Sequence, residues 1–297
     1  MRFTLTAIFA IFGASAQADV PRVVADIPPV HSLVARVMKG LGSPDLFIQA
    51  GASPHSYSLR PSEAAALERA DLVFWIGHGL TPWMEKPLET LAGDARRVEL
   101  MEVEDTIKLP AREEAIFDDH THDHDHGQID PHGWLDPING QLWLDTIARE
   151  LAKFDPENAD IYHANAAEGK SEIAVSISET ASILEPMKDV SLAVFHDAFQ
   201  YFATRFELKI KASLFASDAQ APGPARIVAL QKYLRSEEIT CLIAEPQFDQ
   251  SFADLVLDGT EAKTVVLDPL GAAIEPGPGL YAALIAVMAA GVAECIQ

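Results

Sequence analysis

Residues 156–184 read PENADIYHANAAEGKSEIAVSISETASIL and carry no proline after the first position. Ile173, Ile177, Ala181 and Leu184 fall on one helical face, the spacing of a helix that buries a single stripe. As one helix at 1.5 Å per residue, this segment would extend about 43 Å, which exceeds the width of one small lobe. It therefore reads as a rigid bridge between two lobes, with His163 inside it as a structural residue. The competing reading is two helices broken near Gly169.

Outward from this segment, apolar runs of strand length alternate with helical patterns on both sides. On the N-terminal side, strands are expected over 22–27, 45–50, 72–76 and 97–100, and helices over 30–39, 61–70, 82–91 and 137–154. Pro61 stands in the first turn of its helix and Glu63 near its positive end, both favourable placements. After Pro186 the alternation restarts. Strands are expected over 190–195, 208–214, 239–244 and 264–267, and helices over 198–206, 224–235, 252–257 and from 280 onward. The pattern predicts two α/β lobes, each with a four-stranded, mostly parallel sheet, joined by one long rigid backbone helix. The expected divisions are a first lobe over 19–155, a linking helix over 156–185 and a second lobe over 186–297. Two domains suit a chain of 297 residues.

Met1-Arg2 gives a basic start, residues 3–12 are mostly apolar, and Ala16-Gln17-Ala18 is a small-x-small cleavage pattern. Residues 1–18 are read as a cleaved secretory signal peptide, because the apolar core is too short to span a bilayer. No cysteine follows that core, so a lipid anchor is not expected and a free periplasmic protein is. Residues 280–293 carry no charge. They are too few for a membrane span and read as a buried C-terminal helix, so no stable membrane insertion is expected. Acidic residues outnumber basic ones 44 to 22, for a formal net charge of −22. Such a chain offers no basic stripe for phosphates, which argues against nucleic acid, and it attracts cations. In an oxidising compartment Cys241 and Cys295 are most simply one disulfide tying the final helix to a strand, the alternative being two buried thiols.

The ten histidines fall into two kinds. His120, His122, His124 and His126 alternate with Thr and Asp over residues 118–127, low-complexity sequence without an apolar residue to hold it down. Imidazoles and carboxylates grouped this way collect borderline metals such as zinc, without preset geometry. A solvated acidic loop with no metal role is the alternative. Other histidines stand where strands end or helices begin. His55 follows the second strand, His132 precedes a helix in Asp130-Pro131-His132-Gly133-Trp134-Leu135-Asp136-Pro137, and His196 ends a strand. Asp268 ends the last strand. Ligand sites in open α/β sheets gather at the carboxyl ends of strands, so these groups can converge only in the cleft between lobes. Three imidazoles and a carboxylate are a complete tetrahedral set for Zn²⁺. Spacing alone does not select them from the ten, however; His31 and His78 also follow strands of the first lobe.

Resemblance makes the selection. Gly51-Ala52-Ser53-Pro54-His55-Ser56-Tyr57-Ser58-Leu59-Arg60-Pro61-Ser62 resembles the first metal motif of the zinc-binding ABC-transporter solute-binding proteins of the ZnuA type. His132-Gly133-Trp134-Leu135 is similar to their second motif and Phe195-His196-Asp197-Ala198-Phe199 to their third. Ala244-Glu245-Pro246-Gln247-Phe248 and Leu267-Asp268-Pro269-Leu270-Gly271 follow in family order. The Asp/His-rich insertion and the two cysteines are also placed as in that family. The resemblance spans the chain after residue 18. It implies two lobes on one backbone helix, with metal in the cleft between them. The implied ligands are His55, His132 and His196. In the fourth place some zinc members use Glu immediately before the first histidine, or a water; this chain has Pro54 there, which removes one candidate and favours Asp268, directly or through water, with water alone as the alternative. Glu245 is expected beside the ligands. Manganese-binding relatives have Glu at the position of His196, and a third imidazole in its place favours zinc.

The resemblance thus implies a monomeric periplasmic receptor that captures Zn²⁺ and delivers it to a membrane permease, with residues 118–127 as an auxiliary collector. The chain has no Gly-x₄-Gly-Lys-Ser/Thr loop and is not itself an ATPase. Capture needs deprotonated imidazoles, so affinity falls as pH drops through the histidine range. One rival is a secreted zinc hydrolase, with Glu245 near an open coordination position. The absence of His-Glu-x-x-His argues against it, as does a shell closed by Asp268. A manganese-binding or adhesin-type relative is the other, and it lacks the expected lipid anchor.

Overall fold

Strand β1 (Val23–Ala25) leads through helix α1 (Pro28–Val37) to β2 (Asp45–Leu46), then α2 (Pro61–Arg69), β3 (Leu72–Trp75), α3 (Glu85–Leu91) and β4 (Arg96–Glu99). Two long helices follow, α4 (Pro137–Phe154) and α5 (Ala159–Leu184). The second half runs β5 (Ser191–Val194), α6 (Gln200–Phe206), β6 (Lys209–Ser213), α7 (Pro224–Ser236), β7 (Cys241–Ala244), α8 (Ser251–Leu257), β8 (Lys263–Val266) and α9 (Leu280–Ala293). These assignments come from a computed structural model, which describes residues 20–49, 51–112, 114–117, 128–215 and 223–296. Residues 1–18, read above as a signal peptide, and the Asp/His-rich residues 118–127 lie outside the described residues.

The strands form two four-stranded sheets in the orders β2-β1-β3-β4 and β6-β5-β7-β8, and every ladder is parallel. The central strands β1, β3 and β7 are buried along their whole length, as sheets covered on both faces require. The strand order reverses between β1 and β3, and again between β5 and β7, opening a crevice at each carboxyl edge. The expected helix over 82–91 divides into a 3₁₀ turn, Pro82–Met84, and α3. Pro87 has no N–H for the carbonyl four residues back, so one regular α-helix cannot run through.

Helix α5 is continuous over 26 residues, about 39 Å, and connects the two lobes. The break considered near Gly169 does not occur. A Cβ there would meet Arg36 Cγ at 2.9 Å and Leu144 Cδ1 at 3.0 Å, so the glycine allows α1 and α4 to approach closely. The buried stripe also differs from the expected one. It runs through Tyr162, Ala166, Gly169, Ile173, Ser176, Thr180 and Leu184, while Ile177 is half-buried and Ala181 exposed. Small side chains line this face because α9 packs on it, and Ser176 Oγ donates to the Ala282 carbonyl at 3.2 Å.

Helix α9 reaches back into the first lobe. The Tyr281 N–H donates to Ser32 Oγ at 2.9 Å, and its hydroxyl donates to the Trp134 carbonyl at 2.7 Å. Gly140 leaves the space that the Tyr281 ring fills. One apolar core therefore runs from β1 and α1 through α4 and α5 to α9. Arg205 of α6 also grips Asp136, the N-cap of α4, with two bonds of 2.9 and 2.7 Å. Cys241 and Cys295 form a disulfide across a sequence separation of 54, a closure that loop entropy values at about 4 kcal/mol at most. Among the described residues no helix is long and apolar enough to cross a membrane.

Candidate metal centre

His55, His132 and His196 each offer one ring nitrogen, and these atoms all lie within 4.8 Å of one another. The ring centroids are 5.0 Å apart for His132 and His196, 5.5 Å for His55 and His132, and 5.9 Å for His55 and His196. His132 and His196 are buried, at 6% and 7% exposure, whereas His55 is half-buried at the mouth.

Each histidine is held differently. His196 lies just past β5 and its partner Glu245 just past β7, the two strands flanking the reversal in the second sheet. Its Nδ1 meets Glu245 Oε1 at 2.7 Å, and Gln247 donates to the other oxygen at 2.8 Å. His132 sits before a 3₁₀ turn, Gly133–Leu135, that feeds α4. Asp130 Oδ1 accepts from the His132 backbone N–H at 3.0 Å and meets its ring Nδ1 at 2.6 Å. An ionised carboxylate only accepts, so with Asp130 and Glu245 ionised Nδ1–H donates in both pairs and the Nε2 lone pair is left for a metal. Those two Nε2 atoms face each other at 3.3 Å. His55 rides on the 3₁₀ turn Pro54–Ser56, where its N–H donates to Ser53 Oγ at 3.2 Å. Trp83 Nε1 donates to the Pro54 carbonyl at 2.7 Å.

Buried carboxylates surround the pair. Burial pushes Asp130 up to about 7, opposed by the His132 N–H and by the Arg112 charge. Burial also raises Asp197, although Arg112 binds both of its oxygens, Nε at 2.7 Å. Three converging imidazole nitrogens suit a borderline divalent cation, and zinc takes such a set in tetrahedral geometry.

The Asp268 side chain is differently employed. Its Oδ1 accepts from the Leu270 N–H at 2.8 Å and its Oδ2 from the Ala272 N–H at 2.6 Å, closing a turn through Gly271 at φ +71°. It is not one of the three converging groups. The turn nevertheless abuts them: Trp134 Nε1 donates to the Pro269 carbonyl at 2.8 Å, and the Trp134 ring lies 5.2 Å from that of His132. His31 bonds the Pro44 carbonyl at 3.1 Å, exposed His78 lies 3.5 Å from Glu85, and His163 is exposed on α5. None of these three joins the cluster. The four loop histidines lie outside the described residues. Sequence reasoning placed Glu245 beside the ligands but missed Asp130 as the partner of His132. The Asp-x-His spacing of residues 130–132 was the available signal.

Two parallel α/β lobes on a single backbone helix, with a histidine cluster in the cleft that could hold a metal, match the plan of a solute-binding protein for a metal ion. The family described as ZnuA, zinc-uptake complex component A, periplasmic, matches residues 23–295, and the chain belongs to it. The high-affinity zinc uptake system protein ZnuA of Brucella suis biovar 1 is 38% identical, over 99% of this chain and 98% of that one. A crystal structure of ZnuA shares the fold with a TM-score of 0.80 at 23% identity, covering 94% of this chain and 100% of that chain. A ZnuA deletion mutant with zinc bound gives 0.77 at 25% identity, covering 93% and 98%.

Proposed function

We propose that the chain captures Zn²⁺ in the periplasm and hands it to the membrane permease of an ABC importer, with His55, His132 and His196 as ligands. The observation that carries this reading is the convergence of three imidazole nitrogens, two of them backed by buried carboxylates. Relatives of full-length similarity are named for high-affinity zinc uptake, which supports zinc as the cargo. Asp268 is proposed as the fourth ligand, its carboxylate fixed by the turn that ends β8. Each of its oxygens keeps a second lone pair beyond its N–H bond. A catalytic role is not part of this reading. Glu245, the residue a hydrolase would need as base, is fully buried and has both oxygens engaged by His196 and Gln247. The division into lobes over 19–155 and 186–297 about the helix, and the export signal over 1–18, belong to the same proposal.

Residues 118–127 are proposed as a weaker collector. Zinc titration should give one tight equivalent per chain plus weaker ones, and deleting 118–127 should remove only the weaker ones. Loss of the tight equivalent on deletion would show that collector and site are not separate.

Metal choice rests on the third imidazole. His196→Glu should weaken zinc and raise relative binding of Mn²⁺, because a hard oxygen replaces a borderline nitrogen. The new carboxylate would also face Glu245, so the measurement is the Zn²⁺/Mn²⁺ ratio in competitive titration rather than either affinity. An unchanged ratio would place selectivity elsewhere in the cleft.

A further inference from the structure

Of the three converging histidines, His132 and His196 are buried and braced at strand or helix ends, whereas His55 is half-buried on a three-residue 3₁₀ turn. The direction of the His55 side chain is set by the peptide unit that joins it to Pro54. Both polar ends of that unit are held. Its N–H donates to Ser53 Oγ at 3.2 Å, and its carbonyl accepts from Trp83 Nε1 at 2.7 Å. Trp83 belongs to the scaffold: it lies in the turn Pro82–Met84 between buried Thr81 and buried Met84, and the Met84 N–H bonds the Thr81 carbonyl at 2.9 Å. Its ring also lies 5.7 Å from that of Tyr57, whose hydroxyl donates to Glu63 at 2.7 Å.

We propose that Trp83 is a positioning residue for metal retention: its indole N–H pins the Pro54–His55 peptide so that His55 stays aimed into the cleft. The inference rests on the zinc reading above. His55 is the most exposed and least braced of the three, so it is the first ligand to let go. Escape therefore proceeds through a state in which His55 has let go and the two buried imidazoles still hold. A pin on the His55 peptide lowers the population of that state and slows escape, with little influence on arrival.

The test is chelator-chase stopped flow on zinc-loaded protein, with melting of the zinc-free protein as control. Trp83→Phe keeps a ring against Tyr57 and removes the N–H. It should speed zinc loss roughly three- to tenfold, the worth of one net hydrogen bond, with the association rate unchanged and the zinc-free melting temperature lowered by no more than the loss of that one bond accounts for. Ser53→Ala frees the other end of the same peptide unit at a half-buried position and should act in the same direction. In a His55→Ala background, Trp83→Phe should add nothing. The visible spectrum of the Co²⁺-loaded Trp83→Phe protein should shift towards that of His55→Ala. A wild-type off-rate in Trp83→Phe would overturn the inference, as would the same acceleration in the His55→Ala background. A fall in zinc-free melting temperature larger than the loss of one hydrogen bond accounts for would also overturn it, by showing a general structural role. A wild-type chain without tight zinc, or His55→Ala with a wild-type off-rate, would overturn the site reading and this inference with it.

Discussion

His132→Ala should reduce zinc affinity by far more than a hundredfold in competitive titration, while Asp130→Asn should cost roughly ten- to a hundredfold. In the proposed site His132 is the inner ligand of the first lobe, with its Nε2 facing that of His196 at 3.3 Å. Its removal deletes an imidazole donor, and no other side chain of the described residues joins the converging set to replace it. Asp130 acts one bond further out. It holds Nδ1–H at 2.6 Å and the backbone N–H at 3.0 Å, and so orients the ring and raises its basicity. Asparagine keeps the shape and an acceptor but removes the charge. Equal losses in the two variants would mean that His132 contributes only through its pairing with Asp130, and three-imidazole ligation would fail.

Asp268→Ala should shrink the stabilisation that zinc confers, and should also destabilise the zinc-free protein. The second effect follows from the turn, since two backbone N–H groups lose a carboxylate acceptor, at about 1–3 kcal/mol. Because that cost falls on both forms, absolute melting temperatures do not report ligation. The quantity to read is the zinc-induced increment. For the wild-type chain it grows as RT ln(1 + [L]/Kd), about 4 kcal/mol at a thousandfold excess of ligand over Kd. Melts of wild type, Asp268→Ala and His55→Ala, with and without zinc, separate the cases. A full increment in Asp268→Ala beside a small one in His55→Ala would leave three histidines and water as the coordination shell.

Much of this architecture is legible in the sequence because local rules and packing agree. Helix α4 occupies the residues expected of it, bounded by the Asp136 cap with Pro137 and ended at Phe154 before Asp155. The strands lie within a few residues of their expected limits, and the linking helix is continuous. Where the reading failed, the deciding contact is distant in sequence. Apolar periodicity selected Ile177 and Ala181 for the buried face of α5, but the close approach of α9 puts Ser176 and Thr180 there. The partnership of Asp130 with His132 depends on a turn geometry that composition does not encode. The two bonds of Asp268 to its own turn likewise follow from a backbone path through Gly271. His55, His132 and His196 could be named only by motif resemblance, since spacing along the chain does not rank one strand-end histidine above another.

The return of α9 to α1 and α4 bears on how the molecule is made. Tyr281 completes contacts with Ser32 and Trp134, partners 249 and 147 positions earlier in the chain. A polypeptide that emerges with its N-terminus first can form β1, β3 and their ladder early, but it lacks the wedge that fills the space over Gly140 until its final segment arrives. This part of the core is therefore completed only when α9 arrives, and contacts of such long sequence separation are of the kind that slow folding. Cys295 becomes available to Cys241 only after α9 has been made, so the covalent seal cannot close before that helix arrives.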